Sequence, residues 1–293
     1  MLRVAVLGKN DIAIEATKIL TGNQNCEMVF VSPNNSDPGE DGWQRSFKKF
    51  AIEQKIPTAT FPKIKSKDSI ESLIKSRIDL LFSFQYDQII NQEVIDTAKF
   101  GAINLHFAPL PKYRGVSPIA MAMLNGENEF GVTLHYMDPG VDTGDIIAQK
   151  IFDMSFVKSA RELYDLCVGK SVELLRENVD DILRLKNSRV PQDNSRASYY
   201  PAGLIDFKKN VVSWNRDTRS LYNWIRAFIF PPFQYPVFQS DGTTFEVLES
   251  SPDYRKNKYE KPGTVVFKKG NFYKVATHDS YLDVFVRESR DKL

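Results

Sequence analysis

Several of the commonest signposts are missing from this chain. It has 293 residues but two cysteines, Cys26 and Cys167, far apart and in neither a zinc spacing nor a disulfide framework. No metal is expected, and a reducing compartment is the simpler reading. No 18-residue apolar stretch occurs, and the opening run Met1-Leu-Arg-Val-Ala-Val-Leu-Gly8 is too short for a signal peptide. A cytoplasmic protein with no membrane partner is therefore expected. A charge of one sign is missing too: 39 basic residues face 37 acidic ones, a formal +2. Neither the first two thirds nor the remainder has the charge of a nucleic-acid-binding module, so no nucleic-acid partner is expected. Gly8-Lys-Asn-Asp-Ile-Ala lacks the Gly-x-Gly-x-x-Gly pattern, which speaks against NAD. Histidine is scarce, with His106, His135 and His278 the only three.

What is present is 42 % hydrophobic content, enough core for one large domain or a large and a small one. Leu2 to Leu7 is an apolar, β-branched run ending at Gly8, and a helical pattern follows from Asp11 to Leu20. Further apolar runs at 28–31, 78–84 and 102–105 alternate with helical stretches at 44–55 and 69–76. This alternation predicts an α/β fold, a Rossmann-like, mostly parallel sheet with helices on both faces. Leu134, Tyr136 and 146–151 suggest more strand, and 160–185 reads as a long amphipathic helix. The polar, turn-rich stretch 186–204 reads as a connector. Beyond it, one helix (218–228) precedes short β-like runs at 244–248, 263–267, 272–277 and 281–286. The expected division is a catalytic domain, 1–200, and a small, mostly-β, OB-like domain, 201–293.

The informative stretch runs from Asn104 to Gly144. Asn104 and His106 lie two apart at the carboxyl end of a predicted strand, so both side chains point to the side where open α/β sheets bind ligands. Asp142 sits in Asp138-Pro-Gly140-Val-Asp142-Thr-Gly144, a loop whose glycines allow close backbone approach, seven residues after His135. A carboxamide can donate to an oxyanion, an imidazole can move a proton, and a carboxylate can hold that imidazole in the useful tautomer. His135 is open between packing and support of that set.

Asn-x-His, the following Leu-Pro-Lys112-Tyr113-Arg114-Gly, and Asp142 at its spacing from both histidines resemble the N10-formyltetrahydrofolate-dependent formyltransferase family. The resemblance implies that Asn104, His106 and Asp142 form the catalytic triad, that N10-formyltetrahydrofolate is the co-substrate, and that Leu110-Pro111 is a cis turn. It also implies a folate pocket made largely by backbone groups at Phe84, Tyr86, Asp87, Ile89, Ile90, Asp138 and Gly140, though Ile89 and Ile90 read equally well as core. Arg226-Ala-Phe-Ile-Phe-Pro-Pro-Phe resembles the start of the small domain that several members carry. Initiator-tRNA formylating members resemble one another in a basic loop after the second strand. Here Ser32 to Trp43 holds three acids and no base. That favours a nucleotide-linked amino sugar as acceptor, with dTDP as the nucleotide, an enzyme of surface polysaccharide synthesis and a homodimer. Methionyl-tRNA formylation, or a silent nucleotide-binding relative, is the alternative. Lys112, Tyr113 and Arg114 are then candidates to meet a pyrophosphate, with Arg114 alternatively a structural ion pair. Tyr222 and Trp224 are candidates to stack on a base, or are core of the helix they lie on.

Overall fold

The computed structural model describes residues 1–257 and 259–289. They form two compact units. The first comprises Met1–Gly115, Gly131–Phe152 and Cys167–Tyr199, and the second takes Val116–Phe130, Asp153–Leu166 and the chain from Tyr200 onward. The single boundary expected near residue 200 is the last of several crossings, because two earlier segments also pack with the second unit.

In chain order the first unit begins with β1 (Leu2–Gly8), α1 (Asn10–Thr21), β2 (Cys26–Pro33), α2 (Phe47–Glu53), α3 (Lys67–Ser76) and β3 (Leu80–Phe84). Then come α4 (Gln92–Ile95), β4 (Ala102–His106) and the short β5 (Arg114–Gly115), before α5 (Pro118–Asn125) in the second unit. Next are β6 (Glu129–Tyr136), β7 (Ile146–Asp153), α6 (Ala160–Leu183) and β8 (Tyr199–Tyr200). The sheet runs β2-β1-β3-β4-β6-β7. β2, β1, β3 and β4 are parallel, while β6 is antiparallel to β4. All five residues of β3 are buried, the signature of a strand covered on both faces, where alternation disappears. Side-chain caps start the helices: Ser46 for α2, Ser66 for α3 and Asn91 for α4 each accept a backbone N–H of the first turn. At Gly8 an added Cβ would run into the Phe84 carbonyl, so the close of β1 against β3 requires glycine.

The second unit adds α7 (Thr218–Phe228) and β9 (Val237–Ser240), β10 (Thr243–Asp253), β11 (Val265–Lys269), β12 (Phe272–Ala276) and β13 (Tyr281–Glu288). These strands make an antiparallel sheet in the order β11-β12-β13-β10-β9. Along β13 buried and more exposed residues alternate, with Leu282, Val284 and Val286 inward, so this sheet has one core face. Arg255 and Lys274 hold the Asp253 carboxyl far below the usual carboxylate range against the opposing effect of burial. Among the described residues no helix is long and apolar enough to cross a membrane.

Candidate active site

The pairing of β6 with β4 builds the centre of the site. Antiparallel register sets His135 opposite Asn104 and Thr133 opposite His106. Two-residue periodicity then aims Asn104 and His106 to one side of β4, and His135 and Thr133 to one side of β6. Asn104 Nδ2 lies 3.2 Å from His135 Nε2, and the two imidazoles meet edge-on at 6.5 Å between centroids.

Each imidazole is fixed by a main-chain carbonyl. His135 Nδ1 lies 2.8 Å from the Tyr136 oxygen, so it carries the proton and donates. Its Nε2 is then a bare acceptor, and this orients the Asn104 amide: the NH₂ group must face His135. Burial pushes the His135 imidazole down to about 4, against the attraction of the Asp142 carboxylate and with some help from His106, so the ring is neutral near pH 7. His106, which is 8 % exposed, has Nε2 2.8 Å from the carbonyl oxygen of Tyr113. That carbonyl, rather than a carboxylate as the sequence suggested, selects the tautomer. Its Nδ1 is left facing Asp142.

Asp142 arrives on the loop after β6. One oxygen, Oδ2, accepts from the Gly115 N–H at 2.9 Å. The other, Oδ1, stands 3.7 Å from both His106 Nδ1 and His135 Nε2, a charge contact too long for a hydrogen bond. Asn104, His106 and Asp142 are thus brought together as expected, and His135 joins them. Left-handed backbone at non-glycine residues marks the three loops concerned: Gln85 after β3 at φ 58°, Tyr113 after β4 at φ 62° and Asp142 at φ 54°. Conformations of this kind persist only where their surroundings enforce them. The turn before Tyr113 contains the cis Leu110–Pro111 bond. Thr133 Oγ1 donates to Ala108 O and accepts from Leu110 N, and Gln149 Nε2 donates to Leu110 O.

The other candidates divide. Phe84 is fully buried and stacked on Phe82, so only its backbone can reach a ligand. The Tyr86 hydroxyl accepts from Gln88 Nε2 at 3.0 Å, and burial raises the phenol to about 12. Asp87 is exposed, within reach of the Ser36 hydroxyl at 3.4 Å. Ile90 is core, whereas Ile89 is 73 % exposed, which overturns the core reading for that residue. Asp138 folds its own loop by accepting from Gly140 N and the Thr143 hydroxyl. A cavity of about 640 Å³ lies between α4, Gly101, Met137 and Arg189; Asp138 lines it, and the remaining folate candidates do not.

Lys112 is exposed, and the Tyr113 side chain is buried, its functional groups being main-chain ones. Arg114 is buried too, and among the described residues it has no ion pair of the kind considered for it. Its Nε and Nη2 donate to Gln192 Oε1 and Nη2 donates to Asn194 Oδ1, neutral amides both. On α7, Trp224 is 8 % exposed, stacked on Phe228 at 4.3 Å and with the Arg216 guanidinium 5.5 Å from its ring centroid. This packing favours the core reading of Trp224, whose ring is covered by its neighbours, over the base-stacking one. Tyr222 is half-buried, with the Arg226 guanidinium 4.8 Å from its ring. Reading the sequence missed Gln192 and Thr133. Thr133 was findable, since it shares the phase of His135 along β6; Gln192 gives no such signal.

A parallel sheet ending in a carboxamide, a tautomer-fixed imidazole and a carboxylate defines an α/β enzyme equipped for acid–base chemistry at a polarised carbonyl. The chain belongs to the formyl transferase family. The family model described as "Formyl transferase" matches residues 2–179, and "Formyl transferase, C-terminal domain" matches residues 204–291. The chain is 30 % identical over 268 residues to methionyl-tRNA formyltransferase of Acetivibrio thermocellus, covering 90 % of this chain and 85 % of that protein. It is also 30 % identical over 285 residues to the enzyme of the same name from Staphylococcus aureus, covering 96 % and 89 %. Among solved structures it is similar to WlaRD, a sugar 3N-formyl transferase determined in the presence of dTDP and 5-N-formyl-THF. The identity is 27 % and the TM-score 0.78, over 100 % of this chain and 99 % of that one. It is likewise similar to the N-formyltransferase of Helicobacter canadensis in complex with folinic acid and dTDP-3-aminofucose, at 26 % identity and TM-score 0.77, over 99 % and 100 %.

Proposed function

We propose that this enzyme moves the formyl group of N10-formyltetrahydrofolate to the amine of a nucleotide-linked amino sugar, with a dTDP-linked sugar favoured. The observation that carries the acceptor is the loop at 32–43. It holds Asp37, Glu40 and Asp41 and no basic residue, and a polyphosphate acceptor such as tRNA is bound through cations. Two of those acids are engaged locally: Asp37 accepts from Gly39 N and Lys48 N, and Asp41 pairs with Lys49 at 2.6 Å. Two sugar N-formyltransferases aligned over nearly their whole length support the same acceptor. The names of the 30 % identical relatives favour methionyl-tRNA as the second reading.

In the proposed reaction the substrate ammonium binds between His106 Nδ1 and Asp142 Oδ1, which face one another at 3.7 Å. His106 Nδ1 takes its proton and the free amine attacks the formyl carbon. The resulting imidazolium keeps its Nε2–H on the Tyr113 carbonyl and gains the Asp142 charge on the other side. Asn104 Nδ2 spends one hydrogen on His135 and keeps the second for the oxyanion of the tetrahedral intermediate. Collapse breaks the bond to N10 of the folate, which leaves with the proton shed by the attacking nitrogen, and the His106 imidazolium then releases its proton to solvent. Folate contacts are assigned to Phe84 through Ile90 and to Asp138 through Gly140, with Ile89 an exposed apolar surface for a ring. Self-association through the aromatic group Phe267, Phe272 and Phe285, a role in surface polysaccharide synthesis and a cytoplasmic location complete the proposal.

The test is consumption of 10-formyltetrahydrofolate in the presence of a panel of dTDP- and UDP-amino sugars, set against charged initiator tRNA. Turnover with a dTDP-amino sugar and none with the tRNA is expected; the reverse outcome replaces this acceptor with the second reading.

A further inference from the structure

The segment following α6, polar and turn-rich in sequence, is tied into the site at both ends. Val190 exchanges backbone hydrogen bonds with Ile146, at 2.8 and 2.9 Å. Ser198 accepts the Arg114 N–H on its carbonyl and the Tyr113 N–H on its hydroxyl, and its own N–H reaches Pro111 O. Between these anchors sits Gln192. Its Nε2 donates to Asp142 O at 2.9 Å and to Gly144 O at 2.8 Å, while its Oε1 accepts from Arg114 Nε at 3.1 Å and Nη2 at 2.7 Å. Two donors and two acceptor positions are all that a primary amide has, and here all four are used.

From this we infer that Gln192 is a positioning residue for formyl transfer, the pin that holds the Asp142 loop to the loop after β4, whose Tyr113 carbonyl fixes the His106 ring. This rests on the roles proposed above for Asn104, His106 and Asp142. Two facts show why a pin is needed. Asp142 has left-handed backbone, a strained conformation for a residue with a side chain, which persists only where its surroundings enforce it. Gln192 holds the carbonyl of Asp142 itself and that of Gly144, and so fixes the chain immediately after that strained residue. The Asp142 carboxylate, moreover, accepts one hydrogen bond among the described residues, from the Gly115 N–H. Gly115 follows Arg114 directly, so the Arg114–Gln192 pair holds both ends of the carboxylate's support. Gln192 touches no reacting atom. Its effect passes through the backbone of Asp142, and a displacement of about 1 Å at such a group can cost on the order of 100-fold in rate.

Gln192→Ala and Gln192→Glu together separate this role from simple packing. Alanine removes all four bonds. Glutamate keeps, and strengthens, the link to Arg114 while turning an acceptor toward the carbonyls of Asp142 and Gly144. Both variants are expected to lower kcat about 10- to 100-fold, with KM for the folate within about twofold and melting temperatures near that of the parent. Amide hydrogen exchange across 138–145 should quicken at least tenfold in both. Parental kcat in Gln192→Glu would show that only the Arg114 link matters, and unchanged exchange in both variants would overturn the inference outright. A parent protein that transfers formyl to no acceptor would instead sink the functional reading, while the exchange data would still decide whether Gln192 pins the loop.

Discussion

The two sheets bury polar groups in opposite ways. In the mixed, mostly parallel sheet β4 and β6 turn Asn104, His106, Thr133 and His135 inward, and each of them is matched to a partner with little room to turn. In the antiparallel sheet the inward positions of β13 are aliphatic and the charged groups pair along its solvent side, as with Arg287 and Glu246. A one-sided sheet needs nothing more than alternation to be stable. Polar groups buried in the first sheet require a full set of bonds merely to break even, so their presence marks chemistry rather than stability.

That contrast can be broken from either side. The largest effect on stability is expected in the second unit, where Trp224→Ala should cost about 3–5 kcal/mol in denaturant unfolding as a packed ring is removed. If the variant instead kept its stability and lost nucleotide-sugar affinity, Trp224 would be a binding platform after all. In the first unit, His106→Ala and Asp142→Asn should each lower kcat by about 100-fold or more while melting temperature changes little. Near-normal turnover in a folded variant would remove that residue from the mechanism.

A smaller effect comes from His135. Its pKa is pushed down to about 4 in the folded protein, so between that value and the ordinary imidazole value of about 6.5 the unfolded chain binds more protons. The stabilisation is complete above the unfolded value and is lost as pH falls toward 4, by on the order of 3 kcal/mol. Urea titrations of the parent and of His135→Gln across that window should show the slope in the parent alone; equal slopes would mean that another group is responsible. Smallest of all, Phe285→Ser on the outer face of β13, where the ring is 52 % exposed, should alter monomer stability by less than about 0.5 kcal/mol. Sedimentation of the same variant tests self-association, which a parent dimer and a variant monomer would support.

The degree to which the sequence was legible follows the same contrast. α7 was read at its full extent, β10 and β13 in place though short of their ends, β11 two residues early and β12 one residue too long, because a one-sided pattern is written into adjacent residues. β9 escaped notice, being four residues long behind the Pro231-Pro232 turn. Asn104, His106 and Asp142 were readable through motif spacing, since each lies on a short, recognisable stretch. The choice of tautomer was not: it depends on the Tyr113 and Tyr136 carbonyls, and backbone groups leave no trace in residue identity. Gln192 was invisible for another reason. Its partners lie 50 and 78 positions away along the chain, and nothing in a run of polar residues distinguishes the one that reaches them.

One consequence concerns recombination between relatives. The first family match ends at residue 179, a tempting place to cut when one catalytic half is joined to another protein's second half. A fragment ending there would carry all three proposed catalytic side chains and leave the carbonyls of Asp142 and Gly144 without Gln192, and the Tyr113 amide without Ser198. A swap made after Tyr199 keeps each loop with the segment that evolved to brace it. The exchangeable module therefore extends about twenty residues past the end of the match, and sequence similarity alone would put the scissors in the wrong place.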